Sequence, residues 1–243
     1  MNCNLYNHIQ FVFKDAVSLL DIFQLEAVGD EGRGVAENTA LSAFIIPPAN
    51  FCCKGAILRG IIVKRSGDIM QLTATNELVA AKRLYRTAFP KEERLPWWVL
   101  RLSTLEQGVE LAAYYDEGEF CGFTHTTVTE DVLFVMFLAV DDTVRGVGYG
   151  SAILEHLKSK AQGRPVILNV EPLDDAAPNA DERVRRMRFY EKNGFYDTGY
   201  NIAEVGGIFR VLSTVPELNV PAYLKVFAKL SFGLWKPEIT KVR

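Results

Sequence analysis

The chain is poor in the residues that would mark it for an extracellular, membrane or nucleic-acid setting. Four cysteines occur in 243 residues, at Cys3, Cys52, Cys53 and Cys121. They are too few for a disulfide framework, and the adjacent pair Cys52-Cys53 lacks zinc-knuckle spacing. The three histidines, His8, His125 and His156, show no ligand spacing, so no metal is expected. Charge of neither sign dominates: 27 Lys and Arg against 30 Asp and Glu leave a formal charge of -3. That removes the basic footprint expected of a partner of nucleic acid or of anionic lipid. No apolar run approaches the roughly 18 residues of a membrane span. No Lys or Arg precedes Lys14, so the N-terminus does not read as a secretory signal. Repeats and low-complexity tracts are missing as well. These absences predict a protein of the reducing cytoplasm, with neither a nucleic-acid nor a membrane partner.

An apolar content of 49% is enough for one large domain, or for one domain with an appendage. Residues 1–69 carry no motif. "KDAVSLLDIFQLEAVG" has broken helical periodicity, and "IIPPANFCC" contains a Pro pair that ends any helix. This segment is expected to be an appendage. It is either loosely packed and partly disordered, or an upstream extension of a gene whose native start is Met70. The competing view is that "FVFKDAVSLLDIF" docks a helix on the sheet.

Residues 70–243 read consistently. A strand at Ile69–Thr73 precedes Asn76 as N-cap and Glu77 in a first helical turn. Leu78, Ala81, Tyr85 and Ala88 share one helical face, and Pro90 stops the helix. Turn residues at 116–119 and 129–131 separate three β-rich runs, the last being the continuously apolar Leu133–Val140. A run of that kind predicts a central strand buried on both faces. A helix with Ala152, Leu154, Leu157 and Ala161, the strand "PVILNVE", the helix "DERVRRMRFYEKNGF" closed by Asn193-Gly194, and two strands around Gly206-Gly207 complete the order β-α-β-β-β-α-β-α-β-β. The class is α/β (α+β), a mixed sheet with helices on its faces. The C-terminal "VPAYLKVFAKLSFGLWKP" places Leu224, Phe227, Ala228 and Leu230 in a helix-like pattern, which covers the sheet or joins a homodimer interface.

Between the apolar strand and its helix lies "RGVGYGS": Arg145, Gly146, Val147, Gly148, Tyr149, Gly150, Ser151. A strand that feeds a glycine turn into a helix is suited to cradle phosphate, because free N–H groups and the positive end of the helix dipole converge there. A triphosphate-binding loop of the Walker type needs a Lys after the last glycine, and Ser151-Ala152 follow instead. A dinucleotide-binding oxidoreductase would put Ser151 at the third glycine and Glu171 on the ribose, but antiparallel hairpins precede the turn instead of a βαβ opening.

Arg145, Gly148 and Gly150 fit Arg/Gln-x-x-Gly-x-Gly/Ala, and "FLAVDDTVRGVGYGSAIL" resembles the acetyl-CoA-binding core of the GCN5-related N-acetyltransferases. "MRFYEKNGFYDTGY" resembles that family's later helix-turn-strand segment, in the same order and with one strand between. The resemblance covers roughly residues 70–215. It implies a largely antiparallel mixed sheet, helices on both faces and a central strand pair splayed to admit acetyl-CoA.

The resemblance further implies direct transfer of acetyl from acetyl-CoA to a primary amine, on a small molecule or a peptide, in a ternary complex. Backbone groups of Leu138 and Val140 would pair with the pantetheine arm, the glycine turn would hold the pyrophosphate, and Asn169 would line the slot. Tyr190 takes the position of the acid that assists the departing thiolate. An alkylamine with a pKa of about 10.4 is mostly protonated at neutral pH, so a base is required. The strand "VLFVMFLAV" carries no Glu. Glu171 and Glu93 lead the candidates, followed by Glu92 and His125, and Trp97 and Trp98 line the acceptor pocket or belong to the core. The alternative is a domain that binds acetyl-CoA without transferring the acetyl group.

Overall fold

The structure, a computed structural model, describes residues 59–65, 68–75, 78–204 and 206–242. The segment "FVFKDAVSLLDIF", Cys52-Cys53 and the cap pair Asn76-Glu77 lie outside them. The described residues all fall within one compact unit.

Its sheet begins ahead of Met70. Arg59–Arg65 (β1) pairs antiparallel with Asp68–Thr75 (β2), from Arg59↔Ala74 to Arg65↔Asp68. Two helices follow. Val79–Ala88 (α1) buries Ala81, Leu84 and Tyr85 and ends before Pro90. Trp97–Ser103 (α2) starts directly after Pro96, whose fixed φ suits a helix entry. At only seven residues, α2 is too short for its periodicity to be read from sequence. The meander Val109–Asp116 (β3), Glu119–Val128 (β4) and Leu133–Val140 (β5) comes next. Then follow Tyr149–Ala161 (α3), Val166–Val170 (β6), Ala180–Lys192 (α4), Tyr196–Glu204 (β7), Gly207–Ser213 (β8), Val220–Leu230 (α5) and Glu238–Lys241 (β9). The described residues form one nine-stranded sheet in the order β1-β2-β3-β4-β5-β6-β8-β7-β9. Every pairing is antiparallel except β5–β6.

Helices cover both faces. On one, α3 and α4 bury Ile153, Leu154, Leu157, Met187 and Tyr190 against Leu133, Val135, Leu168 and Leu212. On the other, two clusters sit side by side. Helices α1 and α2 pack Leu84, Tyr85 and Leu100 on Phe123, Phe137 and Ala139. Helix α5 packs Tyr223, Val226 and Phe227 on Phe134, Ile167 and Val211. The buried side of α5 is therefore Ala222, Tyr223, Val226 and Phe227, with Ala228 exposed, a face rotated from the one read from sequence. Asn219 sets that phase: its side chain accepts from the Ala222 N–H and caps the helix. This apolar face lies against the chain's own sheet and supplies no argument for a homodimer.

Strand β5 changes phase along its length. Thr126 pairs with Val135 but His125 pairs with Phe137, so Met136 is an extra residue, a β-bulge. Leu133 and Val135 face α3 and α4, whereas Phe137 and Ala139 face α1 and α2. The parallel ladder to β6 has three rungs, Leu133↔Val166, Phe134↔Ile167 and Val135↔Leu168, and stops at the bulge. A bulge sharpens the local twist of its strand. Beyond it β5 stays with β4, and β6 turns to pair with β8 through Val170↔Arg210.

Candidate active site

The parting of β5 and β6 opens a slot through the sheet. Among the described residues, none pairs with residues 136–140 of β5 on that side, so backbone groups of Leu138 and Val140 are available where the pantetheine arm was expected. Both side chains pack partly buried against the α3–α4 core.

The glycine turn stands at the slot's end, on the α3–α4 face. A short helical turn, Asp142–Val144, is capped by Asp141, whose Oδ1 accepts from the Thr143 N–H at 3.0 Å and its hydroxyl at 2.7 Å. Those two bonds hold the Asp141 carboxyl below its usual range. Gly146 (φ +84°) and Gly148 (φ +114°) follow in the left-handed region, which a Cβ disfavours. Gly148 is the N-cap of α3, and the first intrahelical bond runs from the Ala152 N–H to its carbonyl. The amides of Tyr149, Gly150 and Ser151 belong to the unpaired first turn of α3. A Cβ on Gly150 would lie 3.0 Å from Phe189 Cζ and 3.5 Å from Val140 Cγ2, so the turn sits tightly between α4 and β5. Tyr149 anchors it by donating its hydroxyl to Asp116 Oδ2 at 2.9 Å. Arg145 is exposed and ion-paired with Asp142 at 2.6 Å.

Tyr190 also lies on this face. Its ring is buried between Phe189 and Phe195. Burial raises its pKa, against the opposing charge of Arg186, so the phenol holds its proton firmly.

The carboxylates expected to serve as base part ways. Both oxygens of Glu171 are engaged. Arg183 Nη2 lies 2.9 Å from Oε1, Arg186 Nη1 lies 2.6 Å from Oε2, and Asn179 Nδ2 donates to both. Burial alone would raise this carboxyl, but those bonds and charges outweigh it and hold it below the ordinary value. Glu171 is placed as the clamp that ties the end of β6 to α4, a poor proton acceptor. Glu93 sits in the short turn Lys91–Glu93 between α1 and α2. Its carboxyl is raised, by burial first and then by the charge of Glu171. It lies against the β7–β8 turn: a Cβ on Gly206 (φ +97°) would come within 2.7 Å of Glu93 Cγ. His125 is fully buried, bonded through Nε2 to Ser103 Oγ at 3.0 Å, and burial pushes it down to about 4. It is a neutral core residue. Trp97 joins the core beside Tyr85, with ring centroids 5.6 Å apart.

Asn169 is the first residue of β6 past its last rung with β5. Its Oδ1 accepts from the Tyr223 hydroxyl of α5 at 2.7 Å, and its Nδ2 donates to Glu204 Oε1. Glu204 was not a candidate from sequence. Burial and the neighbouring charge of Glu93, opposed by the Asn169 bond, raise it to about 7. The one local sign was an acid two residues after the core residue Ile202, on the buried side of a strand. Among the described residues, no group of His, Cys, Asp and Glu is arranged to hold a metal ion, and no helix is long and apolar enough to cross a membrane.

A meander, a parallel crossover through a glycine-capped helix and a splay at the bulge define an acetyltransferase architecture. Residues 107–197 match the family model described as the acetyltransferase (GNAT) domain. The match spans less than half of the chain, and the segment it covers is GNAT-like. A curated Bacillus subtilis (strain 168) relative, YjbC, named as a candidate acetyltransferase, is 33% identical over 66 residues. That stretch is 27% of this chain and 32% of YjbC, so the chain spans about a third of the curated relative it matches. A solved candidate GNAT-family acetyltransferase from Bacteroides thetaiotaomicron shares the fold at a TM-score of 0.50 and 22% identity, over 63% of this chain and 89% of that one. Arabidopsis thaliana Naa50, solved with the bisubstrate analogue CoA-Ac-MVNAL, is 21% identical over 65% of this chain and 97% of its own, at a TM-score of 0.43. The family match ends within β7, so Glu93 and Glu204 both lie outside it.

Proposed function

We propose that the protein is an acyl-CoA-dependent N-acyltransferase that moves acetyl from acetyl-CoA to a primary amine by direct attack. The observation that carries this reading is the juxtaposition at the bulge: an open edge of β5 next to a glycine turn that caps α3. The edge offers peptide groups to the amides of a pantetheine arm. The turn offers unpaired N–H groups and a helix dipole to a diphosphate. Arg145 adds charge, and Ser151 and Asn169 add polar groups at the two ends of the slot. The cofactor would lie on the α3–α4 face, and the amine would enter from the opposite face, between α1–α2 and the β7–β8 turn.

The reacting centre then falls between Tyr190 and the carboxylates Glu93 and Glu204. A phenol with a raised pKa is protonated throughout the neutral range, and serves as the donor to the leaving thiolate. Glu171 supports the site by fixing the end of β6 to α4. The acceptor is a small-molecule or peptide amine, used in the cytoplasm without a metal.

The test combines the protein with acetyl-CoA and spermidine, kanamycin, L-amino acids and peptides with a free N-terminus, and follows release of free thiol. Thiol release that requires one of these amines supports the reading. Tight binding of acetyl-CoA with no thiol above background across a broad amine panel would favour a non-catalytic binding module.

A further inference from the structure

We infer that Glu204 is the general base of the transfer, and that Asn169 and Tyr223 are its positioning residues. The inference rests on the acetyltransferase reading and adds the residue that takes the proton from the amine.

The placement comes first. Asn169 and Glu204 lie on the α5 side of the sheet, together with Ile202 and Tyr223, opposite the glycine turn and Tyr190. Asn169 marks the level at which the slot opens, because Leu168 holds the last rung with β5. Glu204 ends β7, next to the turn that Glu93 closes over. An amine that enters from this face meets Glu204 before it reaches the slot.

The hydrogen bonds come next. Tyr223 is fully buried and can only donate to the carbonyl end of the Asn169 amide. That contact and the acceptor-only carboxylate together set the amide's orientation, with Nδ2 aimed at Glu204 Oε1. One carboxylate oxygen is thereby fixed, and Oε2 has no hydrogen bond among the described residues. The charged and titratable groups around Glu204 are Glu93 from the α1–α2 turn and the phenol of Tyr223. Glu93 in turn faces Glu171, Arg186, Arg183 and Glu92. Among the described residues no Lys or Arg pairs with Glu204, in contrast to Glu171 with two. A carboxylate raised to about 7 is matched to proton transfer at neutral pH.

The step balances as follows. The neutral amine nitrogen attacks the thioester carbonyl carbon and the N–C bond forms. Glu204 Oε2 takes the proton that the nitrogen sheds. The C–S bond breaks, and the thiolate takes a proton from Tyr190. Glu204 returns its proton to solvent, and the Tyr190 phenolate regains one from solvent.

The test uses the full chain and whichever amine of the panel turns over fastest. Acetyl-CoA binding is measured by calorimetry beside kcat at saturating amine across pH 5.5–9. Wild type should show an acidic limb near pH 7. Glu204→Gln should bind acetyl-CoA as wild type does, lose about 10²- to 10⁴-fold in kcat and lose the limb. Glu204→Asp keeps the charge with a shorter reach, and should keep a limb at reduced kcat, which covers the case of a Gln variant that fails to fold. Tyr223→Phe should displace the limb, because the Asn169 amide is then free to turn. Wild-type kcat and an unchanged limb in a folded Glu204→Gln protein that binds acetyl-CoA would overturn the inference and leave the acetyltransferase reading standing. Absence of acetyl-CoA binding in wild type would overturn both.

Discussion

Gly148→Glu tests the cofactor cradle most directly. Gly148 has φ +114°, a backbone conformation that residues with a Cβ rarely adopt, so any substitution there strains the chain. Holding a non-glycine residue there costs about 1–3 kcal/mol. A typical domain has about 5–15 kcal/mol of stability, so the variant stays folded and melts several degrees lower. The new carboxylate stands at the start of α3, where the diphosphate would bind. Two like charges about 6 Å apart at an effective dielectric of about 20 repel by about 3 kcal/mol, roughly 100-fold in affinity. Gly148→Ala carries the same backbone strain and no charge. Calorimetric titration with acetyl-CoA should therefore show Gly148→Ala within several-fold of wild type, and Gly148→Glu weaker by two orders of magnitude or more. Thermal melts should show both lowered by similar amounts. A folded Gly148→Glu protein with wild-type affinity would remove the glycine turn from the cofactor site.

Tyr190→Phe keeps the ring between Phe189 and Phe195, so its melting temperature should move little while kcat falls about 10²- to 10⁴-fold at unchanged acetyl-CoA affinity; wild-type turnover would assign Tyr190 to the core alone. His125 ionises at about 4 in the fold against 6.5 for a solvated imidazole, so its contribution is complete above 6.5 and is lost as pH falls towards 4, by about 3 kcal/mol. Denaturant unfolding of wild type and His125→Gln at pH 7 and pH 4.5 should show the smaller acid loss in the variant, and parallel losses would count against the buried neutral imidazole. A chain shortened to begin at Met70 loses β1 and exposes the edge of β2, so it should melt lower and aggregate more than one beginning at Ala56; equal melts and equal solubility would show that β1 contributes nothing.

What could be read along the chain was local. The glycine turn, the helix end at Asn193-Gly194 and the apolar run of β5 each follow from residues within one turn or one strand of each other, because backbone φ, helix capping and burial are short-range matters. Their order supported the fold, and the turn is the element on which the proposed cofactor side rests. The start of the sheet at β1 and the helix α2 were not legible: one strand has no partner until the chain folds, and seven residues give too little periodicity.

The proposed acceptor side rests on tertiary structure. Glu171 had the position of a base, yet Arg183 and Arg186, on successive turns of α4, reach back to occupy it. No spacing rule separates a paired carboxylate from a free one, since the difference lies in where a neighbouring helix docks. Glu204 and Tyr223 stand 35 and 54 residues from Asn169 along the chain, and the three meet only because β6, β8 and β7 are neighbours in the sheet with α5 packed over them. The slot itself depends on one extra residue, Met136, which nothing in "LFVMFLAV" distinguishes from its neighbours. A bulge is a relation between two strands, so the sequence of one strand determines that it is buried, and the pairing decides where it parts from the next.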